Sequence, residues 1–516
     1  MSDGSTSLID PEAHPAPPPA RRFRSVLGWT VLGALLPGTA LLAAGRRKLG
    51  AVTLLVFLVL VAGAVWLFTT GQQTVVRSVV DTHRLLWIVG GTALVALLWI
   101  AVIVTGYRLL APVGTSRGRH LLGAFVVLLL VAGVVAPAVE VGRLAMTTRS
   151  LIAGVFHDGK SATVVDKPDP FGGKQRVNVL LLGGDGGTGR EGVRTDTVIV
   201  ASIDTHSGDT TLISLPRNLE NLPFPPGSAL AKAYPNGFES TSEDEGLLNA
   251  VYRNGPAAHP NILGPTDNPG ADFLKLGVGE AIGLHIDYYV LVNLAGFAKL
   301  VDTLGGITVN VNYYVPVGGE PTLGQLPDDY IAPGPNKHMD GATALAWARG
   351  RFGLTDYLRM ARQRCAIQAI VKAADPVTLL AQYQQLAATT KDTVSTDIPS
   401  SALDDFVGLG FKVKDASIRS LVFDTSLINP AYPNYAKIRG LVAAALAAPT
   451  TSAASSSAPS SSAAPSTSAA PSASATPSGA PPTTNPVANV KDACAYNPKE
   501  AAAALAAGEP PTKTHP

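Results

Sequence analysis

Two hydrophobic rhythms divide the chain. Up to about residue 145 the apolar positions run almost unbroken, in four segments at about 25–45, 51–70, 85–107 and 121–142. Each approaches the roughly 20 residues that cross a bilayer as a helix. Beyond residue 177 the runs shorten and alternate. VNVLLLG from Val177, DTVIVASID from Asp196 and TTLISL from Thr210 have the length and β-branched content of strands. Around residues 340–375 the period lengthens to that of helices. From Pro449 to about Val490 the chain is almost wholly Ser, Ala and Pro, which buries too little apolar surface to offset its ordering entropy.

These rhythms predict an α/β domain, a mixed central sheet flanked by helices. It is preceded by an α-helical membrane region and followed by a disordered tail. The expected divisions are an N-terminal tail at 1–24, the membrane region at 25–145 and a linker at 146–176. The α/β domain follows at 177–448, then a disordered Ser/Ala/Pro linker at 449–490 and a C-terminal segment at 491–516.

Charge orients the membrane region. Arg21, Arg22 and Arg24, then Arg46–Lys48, then Arg108, Arg117 and Arg119 fall on one side if the first segment is bent at Pro37-Gly38 and re-enters. The positive-inside rule makes that side cytoplasmic. Three full spans then follow, giving a multi-pass protein whose domain is extracytoplasmic. The formal net charge of +2 averages unlike regions; it offers no clustered basic face and no case for nucleic acid. The two cysteines, Cys365 and Cys494, lie where a disulfide is permitted, and the residues leave open whether they pair.

The glycine stretch LLLGGDGGTGREG (Leu180–Gly192) contains a literal G-x-G-x-x-G at Gly184, Gly186 and Gly189. A dinucleotide turn must open a helix, but this one opens the strand-like DTVIVASID. The dinucleotide reading therefore fails, and an antiparallel hairpin replaces it. In an up-down-up order, Asp185 follows the first strand, Arg194 and Asp196 open the second, and Arg217 follows the third. Two carboxylates and two guanidiniums then share one sheet edge. Paired carboxylates suit a hard cation such as Mg²⁺ that bridges phosphate oxygens, and guanidinium forks suit the remaining oxygens. A second cluster lies in AWARGRFGLTDYLRMARQRC. Arg349 and Arg351 occupy a linker, Thr355 reads as an N-cap, and Asp356, Arg359 and Gln363 form one polar stripe at i, i+3 and i+7. An apolar slot between sheet and helices is also expected, with YYVLVNLAGFAKLV and LGVGEAIGL as candidate walls, although ordinary core is the commoner use of such segments.

The combination NVLLLGGDGG, RTDTVIVASID, SLPRN, NAVY, HIDYYVLVNLAGFAKLVDTLGGITVNV, MDGATALAWARGR and DYLRMARQR resembles the LytR-CpsA-Psr family, actinobacterial type, over about residues 177–375. The resemblance implies an extracytoplasmic phosphotransferase that moves a glycopolymer from a polyprenyl-pyrophosphate carrier to a peptidoglycan hydroxyl, forming a phosphodiester. It implies Asp185 and Asp196 as ligands of Mg²⁺ (or Mn²⁺). Arg194, Arg217, Arg349, Arg351, Arg359 and Gln363 match its pyrophosphate-binding set, and Asp356 an acidic residue near the acceptor. Catalysis would fall to Arg194, Asp196 and Asp356, with Asp196 or Asp356 taking the acceptor proton. A non-catalytic polyprenyl-phosphate binder and a lipid pyrophosphatase use the same residues. The family usually reads SIPRD where this chain has SLPRN, so Asn218 cannot supply the carboxylate that often follows the arginine.

Overall fold

The computed structural model describes residues 23–71, 74, 77–78, 81–111, 116–155, 160–164, 170–171, 173–185, 193–240, 242–374, 394–447 and 487–515. The glycines at 186–192 and the Ser/Ala/Pro residues up to 486 lie outside that set. The chain forms two compact units, residues 1–75 with 82–146, and residues 76–81 with 147–516.

The first unit is helical. Arg47–Leu67, Arg84–Leu110 and Arg117–Ser150 are long and apolar enough to cross a membrane. Side chains such as Leu55, Trp87 and Leu128 face outward, as expected of helices that meet lipid on most sides. The first apolar segment is two shorter helices, Phe23–Leu35 and Thr39–Ala43. Between them Gly38 takes φ +106°, a conformation that glycine alone adopts without strain. The last long helix continues to Val155, so the 146–176 span begins as helix. Its alanines, leucines and methionine favour helix, and nothing in them marks a stop at 145.

The second unit is built on a seven-stranded sheet. In chain order its strands are β1 (Arg176–Gly184), β2 (Thr195–Asp204), β3 (Thr210–Leu215) and β4 (Tyr288–Asn293), then β9 (Val394–Thr396), β10 (Ile418–Val422) and β11 (Val487–Asn489). Two small ribbons pair β5 (Ile307–Val311) with β8 (Gly334–Met339), and β6 (Val315–Val317) with β7 (Asp329–Ile331). The large sheet runs β11-β10-β3-β2-β1-β4-β9. β1, β2 and β3 form the expected antiparallel meander, while β4 lies parallel to β1 and β10 parallel to β3. The sheet is therefore mixed.

Strand periodicity fixes the two faces. Leu180, Leu182, Val198, Val200 and Ile213 enter the larger core beneath the Leu248–Ala258, Pro269–Ile282 and Tyr435–Ala447 helices. Leu181, Ile199, Ala201 and Leu212 face the other way, toward Ile367 and Val371 of the Asp356–Ala373 helix and toward Val490. One candidate wall is thereby corrected. LGVGEAIGL lies within Pro269–Ile282 and the turn after it, and its Val278, Ala281 and Ile282 are core on the first face.

The boundary at residue 490 also moves. Val487–Asn489 pairs antiparallel with β10, and Val490 is fully buried. A β-branched residue beside the open edge of β10 finds there a ladder that local composition does not reveal. The structure joins Cys365 to Cys494, and Asn310 Nδ2 donates to the Cys494 carbonyl at 3.0 Å.

Candidate functional site

The meander places its charges at one edge. Register slips between Gly183 and Gly184: Gly183 opposes Thr197 and Gly184 opposes Thr195, leaving Asp196 as the extra residue of a bulge. Bulges re-aim side chains, and this one stands where β2 leaves the glycine loop. Asp185 and Arg194 close the loop's base. Asp185 N donates to the Arg194 carbonyl at 3.1 Å, and Arg194 N to Asp185 Oδ1 at 2.8 Å.

Asp196 Oδ1 accepts from Arg217 Nη1 at 2.9 Å and from Asn249 Nδ2 at 3.1 Å. Burial by itself would raise its pKa, but Arg217 and Asn249 together hold it below the usual carboxylate range. The second cluster meets the first here. Arg359 Nη2 donates to the Asp196 backbone carbonyl at 3.1 Å and lies 2.9 Å from Asp356 Oδ1, which is 3.6 Å from Arg217 Nε. Acids and guanidiniums thus alternate through residues more than 150 positions apart. Arg359 is 4 % exposed. Desolvation lowers its pKa, the carboxylate of Asp356 counters that, and Arg217 adds to the lowering. Its Nε is buried with no hydrogen-bond partner among the described residues.

Asp196 and Arg359 of this network line a cavity of about 720 Å³. Asp185, Asp196, Arg349, Arg351, Arg359 and Gln363 line the polar end. Behind them Leu181, Ile199, Val290, Val292, Phe297 and Ile370 make an apolar interior between the sheet and the Asp356–Ala373 helix. The expected slot therefore exists, and YYVLVNLAGFAKLV supplies part of its wall. A second cavity, of about 440 Å³, is lined by Arg217, Asn218, Arg351, Asp356 and Tyr357. Arg351 borders both.

Arg194 is placed differently from the other arginines. Its guanidinium pairs with Glu245, which also binds Arg253 and accepts from Asn254 Nδ2 at 2.5 Å. The bonds from Asn254 and Arg253 keep Glu245 well ionised. Sequence reasoning assigned Glu245 and Asn249 no role, although the acidic run EDE stands only three residues before the NAVY motif. Arg362 was also missed. It is 4 % exposed, donates from Nε to the Trp347 carbonyl at 2.7 Å and from Nη1 to Tyr313 Oη at 3.0 Å, and bonds the Gly350 carbonyl. It pins the backbone between Arg349 and Arg351, and its i+3 spacing from Arg359 was the available signal. Trp347 is core, 2 % exposed.

Among the described residues no group of three or more His, Cys, Asp and Glu forms a metal cage. Asp185 and Asp196, two carboxylates at a guanidinium-lined mouth, do fit a cation such as Mg²⁺, which is commonly held by one or two carboxylates and by substrate phosphates.

The model of the LytR_cpsA_psr family matches residues 155–437. The polyisoprenyl-teichoic acid–peptidoglycan teichoic acid transferase TagU of Enterococcus faecalis is 28% identical over 263 residues, 50% of this chain and 70% of that protein. The probable cell wall biosynthesis protein LcpB of Corynebacterium glutamicum is 29% identical over 250 residues, 48% of this chain and 47% of that one. The crystal structure of B. subtilis TagV superposes with a TM-score of 0.36 at 21% identity, covering 52% of this chain and 96% of that one. With its family model spanning more than half of its length, the chain belongs to the LytR_cpsA_psr family.

Proposed function

We propose that this protein is a membrane-anchored, multi-pass phosphotransferase with its α/β unit outside the cytoplasmic membrane. It moves a glycopolymer from a polyprenyl-pyrophosphate carrier to a peptidoglycan hydroxyl. The observation that carries the reading is the 720 Å³ cavity, apolar within and lined at its mouth by Asp185, Asp196, Arg349, Arg351, Arg359 and Gln363. An amphiphile with a doubly anionic head and a hydrocarbon tail complements both halves. The transferase names of the relatives point the same way.

The polyprenyl tail enters the apolar interior and the diphosphate stops at the mouth. Arg349, Arg351 and Arg359 bind its oxygens, the buried Arg359 Nε being a donor still to be matched. The acceptor hydroxyl approaches from the 440 Å³ cavity, where Asp356 takes its proton. Asp196, whose proton affinity is depressed, is a poor base and a good seat for charge. The acceptor oxygen bonds to the phosphorus that carries the polymer. The bond from that phosphorus to the bridging oxygen breaks, and polyprenyl monophosphate leaves with the electron pair. Developing negative charge meets guanidiniums already fixed by Asp196, Asp356 and the Arg362-pinned linker, so little reorganisation is needed. Asp185 and Asp196 would hold Mg²⁺ or Mn²⁺, which supplies neutralisation of phosphoryl oxygens.

The test is Asp196→Asn in the full chain, with a short lipid-pyrophosphate-linked glycan as donor and a soluble peptidoglycan fragment as acceptor. Turnover should fall by about 10²–10³-fold while donor binding persists. Undiminished transfer would refute the mechanism, and release of the glycan to water alone would make the protein a pyrophosphatase.

A further inference from the structure

A third cavity, of about 490 Å³, lies apart from the two already described. Its walls come from residues 221–237, after β3, and 432–435, after β10. Because β3 and β10 are parallel neighbours, both segments leave the sheet at the edge that carries Arg217. The step between cavities is short: Asn218 lines the second and Asn221 the third. The segments are locked together there, with Glu220 N donating to the Pro430 carbonyl at 3.0 Å and Tyr435 Oη to the Glu220 carbonyl at 2.6 Å.

The chemistry of this cavity is unlike that of its neighbours. Among the described residues no charged side chain lines it. Its surface is made of aromatic rings, prolines and the amides of Asn221 and Asn236. Tyr234 is braced by Phe224 and Phe238, at centroid distances of 5.6 and 5.1 Å. Tyr432, also in the wall, is 82 % exposed. A tyrosine ring offers a rigid apolar face at low entropic cost, and flanking amides can both donate and accept. Pyranose rings present the matching surface, with a C–H face and equatorial hydroxyl or acetamido groups. The absence of charge from the wall disfavours an anionic polymer and favours a neutral sugar.

We infer that this cavity is a glycan subsite for neutral, N-acetylated sugars, placed to hold the acceptor strand while its reacting unit occupies the cavity with Asp356. Its description as an acceptor subsite rests on the proposed function; its description as a glycan site does not. The probe is the β-1,4-linked N-acetylglucosamine tetramer, titrated into the detergent-solubilised full chain and read by saturation-transfer NMR and calorimetry. Tyr432→Ala and Asn236→Ala, both at exposed positions, should each weaken binding by about tenfold. Tyr432→Phe should retain it. No binding up to millimolar tetramer, or binding indifferent to Tyr432 and Asn236, overturns the inference. Lipid-donor transfer is measured in parallel. Tyr432-dependent tetramer binding without any transfer would leave the glycan site standing and remove the enzyme reading, whereas transfer with Tyr432-independent binding would do the reverse.

Discussion

Replacing Cys494 by Ser tests whether the C-terminal segment is part of the folded domain or a loose appendage. The bond to Cys365 closes a loop with a sequence separation of 129. Chain-entropy arithmetic for a loop of that length gives about 5 kcal/mol of stabilisation through the unfolded state. The realised loss should be smaller, because the segment is held in other ways too. β11 pairs with β10, Asn497 N donates to Asn312 Oδ1 at 2.9 Å, and Lys513 N donates to the Pro327 carbonyl at 3.0 Å. A loss of about 2–5 kcal/mol lowers the melting midpoint by roughly 6–15 °C for a domain of this size, at about 3 °C per kcal/mol.

The assay is a melting curve of the detergent-solubilised chain followed by circular dichroism, run on the parent with and without reductant and on the variant. Reduced parent and Cys494→Ser should coincide, both below the oxidised parent. The effect should reach the site as well. Cys365 sits on the helix that carries Arg359 and Gln363 and whose Ile367 and Ile370 line the large cavity, so donor affinity should fall a few-fold with the bond broken. Equal midpoints for oxidised parent, reduced parent and variant would show that the crosslink constrains nothing that folding does not already fix.

Two further outcomes follow from the ion network. If Glu245 acts by positioning Arg194, Glu245→Ala should cost about tenfold in donor turnover and almost nothing in an Arg194→Ala background, a non-additivity that a double-mutant cycle measures directly. Asp196 has a depressed folded-state pKa, so its contribution to stability is present above the unfolded value of about 3.9 and is lost as pH falls through the folded value. Arg217→Ala should move that loss to higher pH, as read from urea midpoints between pH 3 and 6.

The elements legible in the sequence were those fixed by neighbours along the chain. The alternation of VNVLLL and DTVIVASID specified a meander, and the meander alone gathers Asp185, Asp196 and Arg217. Thr355 was legible as a cap because capping is local, and its hydroxyl accepts from Leu358 N at 3.3 Å. The features that escaped depend on distant pairing. β10 joins β3 across some 200 residues and opens the edge that β11 occupies, and no local period signals either event. Core and cavity wall were also indistinguishable. LGVGEAIGL and YYVLVNLAGFAKLV have similar composition, yet the first is packed solid and the second partly borders open space. Arg362 has its buried use on the Trp347 and Gly350 carbonyls, partners that lie outside its own helix.

The division of the large cavity bears on what it selects, on the proposed reading. A soluble sugar-nucleotide diphosphate could satisfy the guanidiniums at the mouth but would leave the interior lined by Val290, Val292, Phe297 and Ile370 without apolar contact. A neutral lipid could fill that interior, at about 0.8 kcal/mol for each buried methylene, but would offer no acceptor to the Arg359 Nε. Arg359 already holds Asp356, so what stays unmatched is that one buried donor, at about 1–3 kcal/mol. Each half therefore rejects what the other would accept. The Asp196–Arg217–Asp356–Arg359 chain makes that rejection rigid, because each arginine already holds a carboxylate and cannot swing aside to make room for hydrocarbon. Selection for a lipid diphosphate then arises from the juxtaposition of two ordinary surfaces, and it weakens if either is lost.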